Sequence, residues 1–102
     1  MLDQKVAGLL NEQVNKEFYS AYLYLDFSNF YKSRSLDGYA NWYEIQAREE
    51  MDHAMMMIRY LQDNDHEVVL EAIDKPQCKL ESPEDPLHAG LEHERYVTKL
   101  IH

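Results

Sequence analysis

Acidic side chains lie at the centre of apolar helical patterns in this sequence, where a charge is costly to bury. Glu17 lies seven residues after Leu10 and seven before Tyr24, so a helix would place all three side chains on one inward face. Glu94 is flanked by apolar residues at the same spacing, near the end of the chain. Because a buried carboxylate needs a compensating partner, both positions indicate a site that binds something positively charged.

A third carboxylate is followed by a histidine at the spacing of one helical turn. Glu50 also lies on an apolar stripe, and His53 follows it by three residues, so both side chains would project from one helix face. Carboxylate oxygens suit iron, one carboxylate can bridge two metal ions, and imidazole adds a neutral nitrogen ligand. Such a set is typical of di-iron sites in helical bundles. The alternative is that the same residues form salt bridges and bind no metal.

Two long helices and part of a third are predicted to position these side chains. The first runs from Asp3, its expected N-cap, to about Lys32, and the second runs from Asp37, also an expected N-cap, to about Asn64. Because only a short turn links them, they should pack as antiparallel neighbours. The inward residues expected for the first helix are Val6, Leu10, Val14, Ala21, Leu25 and Ser28, beside Tyr24, Phe27 and Tyr31. Those expected for the second helix are Ala40, Tyr43, Ala47, Ala54, Met57, Ile58 and Leu61.

A long connection and a third helix complete the pattern. Residues 66–81 lack a helical stripe and contain proline and charged residues, which predicts an extended crossover. The third helix begins either at Ser82, with Pro83 in first position, or at Asp85, with Pro86 in first position. The second start is favoured because the proline then loses no helical hydrogen bond. The apolar stripe expected for this helix is Leu87, Leu91, Val97 and Ile101.

Composition limits the class of function. The chain has 19 acidic and 10 basic residues and a net charge of −9, which argues against nucleic acid as a partner because like charges repel. Cys78 is the only cysteine, so no intrachain disulfide can form. No apolar run reaches the roughly 18 residues that span a membrane, and no secretory signal is evident. A cytoplasmic location without a membrane partner is therefore expected.

At the residues that carry this chemistry, the sequence closely resembles bacterial non-haem ferritins. The resemblance extends over all 102 residues and rests mainly on residues 11–24, 46–54 and 92–94. It implies an all-α fold, the ferritin-like antiparallel four-helix bundle. The chain would supply the first two helices, the long crossover and the start of the third helix. These would form a single domain over residues 1–102, truncated relative to the family.

The resemblance also implies an activity and a set of site residues. The expected function is that of an iron-storage ferritin, a ferroxidase that oxidises Fe(II) to Fe(III) with oxygen and stores the ferric mineral. The metal ligands implied are Glu17, Glu50, His53, Glu94 and Glu49. Among them, Glu50 would bridge two irons and Glu49 would bind a third. Tyr24 matches a tyrosine beside the site that donates an orienting hydrogen bond or an electron.

Iron, as two ions per site, and oxygen are the expected partners, together with further copies of the chain. The family forms a 24-subunit shell, while a truncated chain with an unfinished apolar stripe leaves a dimer or another assembly open. Haem is not expected, although Met51 stands where bacterioferritins carry their haem-ligating methionine. His93 is either a group that orients Glu94 or a solvated histidine. Two alternatives for the function are a metal-free or inactive helical module and another ferritin-like di-iron protein whose site is built across two chains.

Overall fold

Helices account for most of the computed structural model, which describes residues 2–101 and, at residues 97–101, the backbone alone. Helix α1 covers Gln4–Ser33, α2 covers Asp37–Asp63 and α3 covers Asp85–Ile101. No strand occurs in the described part of the chain, so the prediction of an all-α fold is confirmed. None of the described helices is long and apolar enough to cross a membrane.

Helix α1 begins where the sequence predicts. Oδ1 of Asp3 accepts a hydrogen bond from the backbone N–H of Lys5 at 3.0 Å, so Asp3 is the N-cap. The helix has 30 residues and ends before Arg34, whose N–H bonds to the carbonyl of Tyr31 at 3.1 Å. Ser35 then adopts a left-handed conformation, with φ 59°, which reverses the chain. The second helix consequently returns along the first, as expected from the short link.

The N-cap predicted for α2 is displaced by one residue. Asp37 is the first residue of the helix, and Leu36 occupies the cap position without a side-chain hydrogen bond. The carboxylate of Asp37 pairs instead with Nζ of Lys32 at 3.1 Å. The carbonyl of Leu36 accepts a helical hydrogen bond from Ala40. The prediction of Asp37 as N-cap is therefore wrong, because the tight turn at Ser35 brings the backbone into helical geometry one residue earlier.

The crossover is fastened to α1 by two asparagine side chains. Asn11 donates to the carbonyl of Val69 at 3.0 Å and accepts from the N–H of the same residue at 2.9 Å. Asn15 donates to that carbonyl at 3.0 Å and accepts from the N–H of Glu71 at 2.8 Å. Residues 66–81 contain no helix or strand, as predicted. The two amides thus satisfy backbone groups that have no partner strand.

Helix α3 begins at Asp85, the second of the two predicted starts, but Asp85 and not Pro86 is the first residue of the helix. Its Oδ2 accepts hydrogen bonds from the N–H groups of Glu81 and Ser82, at 2.8 and 2.9 Å, in the segment that precedes the helix. The carbonyl of Glu84 accepts a hydrogen bond from the N–H of His88. The carboxylate of Asp85 therefore orders the turn that leads into α3 and does not cap the helix.

The hydrophobic core lies between α1 and α2 and falls into two clusters. The turn cluster, near the α1–α2 turn, consists of Leu23, Tyr24, Phe27, Tyr31, Ala40, Tyr43 and Ala47. The distal cluster consists of Ala7, Val14, Ala54 and Leu61. Between them α1 contributes Glu17 and Ser20, which are buried polar residues. The carboxylate predicted to do chemistry thus interrupts the core at its middle.

Two residues expected on the inward face of α1 are exposed instead. Val6 and Leu25 are 42% and 43% exposed, whereas the stripe predicted for α2 is buried or half-buried throughout. Helices that pack side by side keep a contact seam with a seven-residue repeat. Val6 and Leu25 each lie one position outside that seam, so both predictions are wrong. The observed seam runs through Ala7, Val14 and Ala21 and through Glu17, Tyr24 and Tyr31.

The stripe expected for α3 does not face the α1–α2 hairpin. Leu87 and Leu91 are 43% and 51% exposed, so this part of the apolar stripe is left uncovered by the described part of the chain. The buried Gly90 faces the hairpin in their place. A Cβ at that position would lie 3.0 Å from the hydroxyl oxygen of Tyr43, so glycine permits the close approach of α3. The side chains of two further stripe residues lie outside the described part of the chain: Val97 and Ile101.

Candidate metal centre

Glu17 and Glu50 lie against one another at the α1–α2 interface, between the two apolar clusters. Val14 of the distal cluster lies one turn before Glu17 on α1. On α2, Glu50 lies between Ala47 of the turn cluster and Ala54 of the distal cluster. Close packing of small side chains on both sides therefore holds the two helices together at the level of the carboxylates.

A group of potential metal ligands occurs at this level among the described residues. Its ligand atoms, from Glu17, Glu50 and His53, all lie within 4.8 Å of one another. Nδ1 of His53 lies 3.9 Å from Oε2 of Glu17 and 3.9 Å from Oε2 of Glu50. Nitrogen and oxygen ligands that lie about 2.1 Å from one metal ion are roughly 3 to 4 Å apart. The three side chains therefore have both the spacing and the chemistry to bind a metal ion.

The group opens toward solvent on the side of the histidine. The side chain of Glu17 is 9% exposed, that of Glu50 is 19% exposed and that of His53 is 55% exposed. The inner end is closed by the core, while the outer end is accessible. Accessible coordination positions are typical of metal sites that do chemistry, whereas structural sites are closed by protein ligands.

Glu50 is half-buried among other acidic side chains. The pKa of Glu50 is raised to about 8, chiefly by burial, then by the hydrogen bond with Glu17 and its charge, and then by the charges of Glu94 and Glu49. A bound cation would reverse this shift, because positive charge favours the ionised carboxylate. A strongly shifted carboxyl beside other ligand groups is a common feature of functional sites. The acidic neighbours of Glu50 thus favour cation binding, and a bound cation would replace the proton that this carboxyl holds at pH 7.

Glu94 approaches the same region from α3 but does not belong to the three-residue group. Its Oε1 accepts a hydrogen bond from the hydroxyl of Tyr24 at 2.5 Å. Burial, this hydrogen bond and the charge of Glu94 all raise the pKa of Tyr24. The phenol therefore stays protonated at neutral pH and acts as a hydrogen-bond donor. The charge of Glu94 also reaches Glu50, because it contributes to the raised pKa of that group.

The structure thus gathers part of the predicted ligand set. Glu17, Glu50 and His53 come together as one group. Glu94 lies beside them on α3, although it is exposed in this chain. Glu49 is exposed next to Glu50 and lies outside the group. The role of each of these five residues as an iron ligand stays a prediction.

Sequence patterns did not single out two polar residues that support the site. Nε2 of Gln13 donates to Oε1 of Glu17 at 3.1 Å, a contact that their four-residue helical spacing could have indicated. The hydroxyl of Ser20 hydrogen-bonds to Nε2 of His93 at 2.6 Å, across 73 residues of sequence. Burial lowers the pKa of His93, so its imidazole is neutral at pH 7. This contact and the half-buried position of His93 do not fit a solvated histidine, while its role as a group that orients Glu94 stays a prediction.

Comparison with known proteins gives a consistent result. Residues 7–102 match the family described as ferritin-like domain. The chain is 42% identical to the bacterial non-heme ferritin of Campylobacter jejuni over 101 residues, which are 99% of this chain and 60% of that protein. It is 35% identical to a probable bacterial non-heme ferritin-like protein of Haemophilus influenzae, over 99% of this chain and 61% of that protein.

A solved structure agrees with the sequence comparison. An open pore ferritin from the archaeon Archaeoglobus fulgidus superposes with a TM-score of 0.93 at 38% identity, over 100% of this chain and 63% of that one. The chain therefore spans about 60% of the length of the curated relatives that it matches. Within that span, the same three helices and crossover are present in both folds.

Proposed function

The chain belongs to the ferritin-like domain family, and from that premise we propose that the full protein oxidises Fe(II) with dioxygen and stores the ferric product. The observation that carries the proposal is the group of Glu17, Glu50 and His53, with ligand atoms within 4.8 Å of one another. Two oxygen ligands and one imidazole nitrogen suit iron in both oxidation states. The charges of Glu17, Glu94 and Glu49, which contribute to the raised pKa of Glu50, would also attract a cation.

The first iron would bind at this three-residue group. Glu17 and Glu50 would supply anionic oxygens, and His53 would supply a neutral nitrogen. Because the pKa of Glu50 is about 8 in the metal-free chain, this carboxyl loses a proton when iron binds at pH 7. Ionised Glu50 then has two oxygens for ligation, and we propose that it bridges to a second iron.

The second iron would be held by Glu94. The hydroxyl of Tyr24 orients this carboxylate through the 2.5 Å hydrogen bond. Because the phenol remains protonated, it donates to Glu94 and does not compete with it for metal. Glu49 is exposed next to Glu50, and we propose that it binds a third iron at the edge of the site.

The reaction balances with dioxygen as the oxidant. Two Fe(II) ions give up one electron each, and dioxygen takes up both electrons and two protons to give hydrogen peroxide. Carboxylates favour the ferric product, because their attraction grows with the charge of the ion. The open side of the group, beside His53, offers the ferric ions a way out.

Storage requires an assembly larger than one chain. We propose a cytoplasmic homo-oligomer, with the 24-subunit shell of the family as the expected form. An exposed apolar surface that includes Trp42, Leu87 and Leu91 supports contact with further protein surface. The net charge of −9 would draw iron toward the protein. Haem is not part of the proposal, and Met51 is 44% exposed.

The substitution Glu50→Ala tests the proposed function. It removes the bridging ligand, so the rapid phase of Fe(II) oxidation should disappear in stopped-flow absorbance measurements. Glu67→Ala is the matched control, because Glu67 is an exposed carboxylate of the crossover, away from the site. The control should oxidise iron at the rate of the unaltered protein. Unchanged rapid oxidation in the Glu50 variant would refute the site.

A second candidate is a di-iron site completed by another chain. The observation that favours it is the 55% exposure of the His53 side chain, which leaves one side of the group open to ligands from elsewhere. In that case two chains share one pair of irons. Iron content after anaerobic addition of Fe(II), combined with native mass, distinguishes one iron per chain from two. A chain that binds no iron would instead be a helical module without metal.

A further inference from the structure

Gln13 contacts the most deeply buried carboxylate of the candidate site. Its side-chain amide donates from Nε2 to Oε1 of Glu17 at 3.1 Å. Both residues lie on α1, four positions apart, and Gln13 is half-buried. Side chains at this spacing lie on the same face of a helix, so the contact is built into α1 itself.

The two oxygens of Glu17 have different surroundings. Oε1 accepts the amide hydrogen bond of Gln13. Oε2 lies 3.9 Å from Nδ1 of His53, on the side of the ligand group. Because one oxygen is held by the amide, rotation of the carboxylate about its last bond is restricted. The other oxygen is thereby kept in place for a metal ion.

The neutrality of the amide matters as much as its geometry. A lysine or arginine at this position could hold Oε1 equally well, but its positive charge would offset the negative charge of Glu17. An amide satisfies one oxygen and leaves the full charge of the carboxylate for a metal ion. Buried side-chain nitrogen and oxygen atoms in the described part of the chain all have hydrogen-bond partners.

We infer that Gln13 is a positioning residue of the metal centre, which holds Oε1 of Glu17 so that Oε2 faces the metal. The inference rests on the proposed function and adds a residue to it. Hydrogen bonds to metal ligands typically change metal affinity by about 10- to 100-fold when they are removed. Loss of the amide should therefore weaken metal binding and alter the coordination geometry, while the ligands themselves are all retained.

Three variants of the full chain separate this role from a structural one. Gln13→Met keeps the length of the side chain and its helix propensity but removes the donor. Gln13→Lys restores a donor to Oε1 and adds a positive charge beside the metal. Gln4→Met makes the same chemical change as the first variant at an exposed glutamine of α1. Circular dichroism and urea unfolding report the folded state of each.

Co(II) is the probe, because its visible absorption bands report coordination geometry and need no oxidation chemistry. In Gln13→Met we expect the dissociation constant for Co(II) to rise by about 10-fold or more, with shifted bands. Gln13→Lys should recover the stability of the fold but not the affinity, because its charge repels the cation. Gln4→Met should match the unaltered chain in both affinity and spectrum.

The outcomes distinguish the inference from the proposal on which it rests. If the unaltered chain binds Co(II), Glu50→Ala abolishes the bands, and Gln13→Met matches Gln4→Met in affinity and spectrum, then the inference is overturned and the site stands. If Gln13→Lys restores full Co(II) affinity while Gln13→Met lowers it, a donor of either charge is enough: the positioning role is supported, and the requirement for a neutral amide is overturned. If the unaltered chain shows no Co(II) bands, the proposed function fails, and the inference fails with it.

Discussion

The hydroxyl of Tyr24 donates a hydrogen bond to Oε1 of Glu94 at 2.5 Å and so joins α1 to α3 across 70 residues of sequence. One turn earlier on α1, Ser20 hydrogen-bonds to His93 at 2.6 Å. Two consecutive residues of α3 therefore meet two residues of α1 that lie one turn apart. This pair of contacts sets the rotation of α3 about its own axis, and with it the direction from which Glu94 reaches the site.

Replacement of Tyr24 by phenylalanine should both destabilise the fold and slow iron oxidation. The lost hydrogen bond involves a carboxylate, and such bonds contribute about 1.5–3 kcal/mol to stability. The midpoint of urea unfolding should fall by a corresponding amount, and stopped-flow oxidation should slow because Glu94 is less well oriented. Tyr22→Phe is the control, since Tyr22 is 49% exposed on the same helix. Equal unfolding midpoints for the two variants would contradict the stabilising role.

The stability of the metal-free protein should depend on pH through Glu50. The pKa of this carboxyl is raised from 4.5 to about 8 in the folded chain, chiefly by burial. Between these values the folded chain binds more protons than the unfolded chain, so stability falls as pH rises. Glu50→Gln stays neutral, so its advantage in melting temperature over the unaltered protein should grow from pH 4.5 to about 8.

The measurement is a series of thermal melts in the presence of a chelator, which keeps the site free of metal. Glu44→Gln provides the control, because Glu44 is an exposed carboxylate on the same helix. Its melting temperature should follow that of the unaltered protein across the series. If the melting temperatures of Glu50→Gln and the unaltered protein differed by the same amount at every pH, the raised pKa of Glu50 would be ruled out.

Gly8→Ala and Gly90→Ala should change the free energy of unfolding in opposite directions. Gly8→Ala lies in α1 with open space around the new Cβ, so the gain in helix propensity should stabilise the protein by about 1 kcal/mol. Gly90→Ala has the same local gain, but its Cβ would lie 3.0 Å from the hydroxyl oxygen of the buried Tyr43. Overpacking of this kind costs about 1–3 kcal/mol. In urea unfolding, the Gly90→Ala variant should therefore be less stable than the Gly8→Ala variant. The reverse order would show that α3 can shift enough to accommodate the new methyl group.

The hydrogen bonds of Asn11 and Asn15 to the crossover lead to a residue-specific prediction for hydrogen exchange. Asn11→Ala should accelerate exchange at the amide of Val69, and Asn15→Ala should accelerate it at the amide of Glu71, because each loses its acceptor. A lost hydrogen bond of this kind is worth about 1 kcal/mol, or roughly a 5-fold change in local opening. Asn29→Ala, at an exposed site on α1, should change neither amide. If exchange accelerated equally at both amides in every variant, the crossover would be destabilised as a whole. That result would contradict a specific hydrogen bond from each asparagine.

Local patterns were sufficient for the helices and for the inward placement of Glu17 and Glu50, whereas Glu94, placed inward by the same spacing as Glu17, is exposed. The seven-residue spacing around Glu17 and the three-residue step from Glu50 to His53 depend only on helix geometry, and the structure brings these three side chains together. Asp3 as N-cap was equally predictable, since an N-cap bonds to the backbone two or three residues ahead. Such features need no knowledge of distant parts of the chain.

The tertiary structure decided everything that depends on how one helix rotates against another. Periodicity placed Leu87 and Leu91 on one apolar face of α3, but it did not specify that the buried Gly90 faces the hairpin, where a Cβ would lie 3.0 Å from the hydroxyl oxygen of Tyr43. The contact of Tyr24 with Glu94 arises from the same docking, across 70 residues of sequence. Helix geometry specifies which residues share a face, whereas the choice of the face that meets a neighbour comes from packing and hydrogen bonds between segments far apart in the chain.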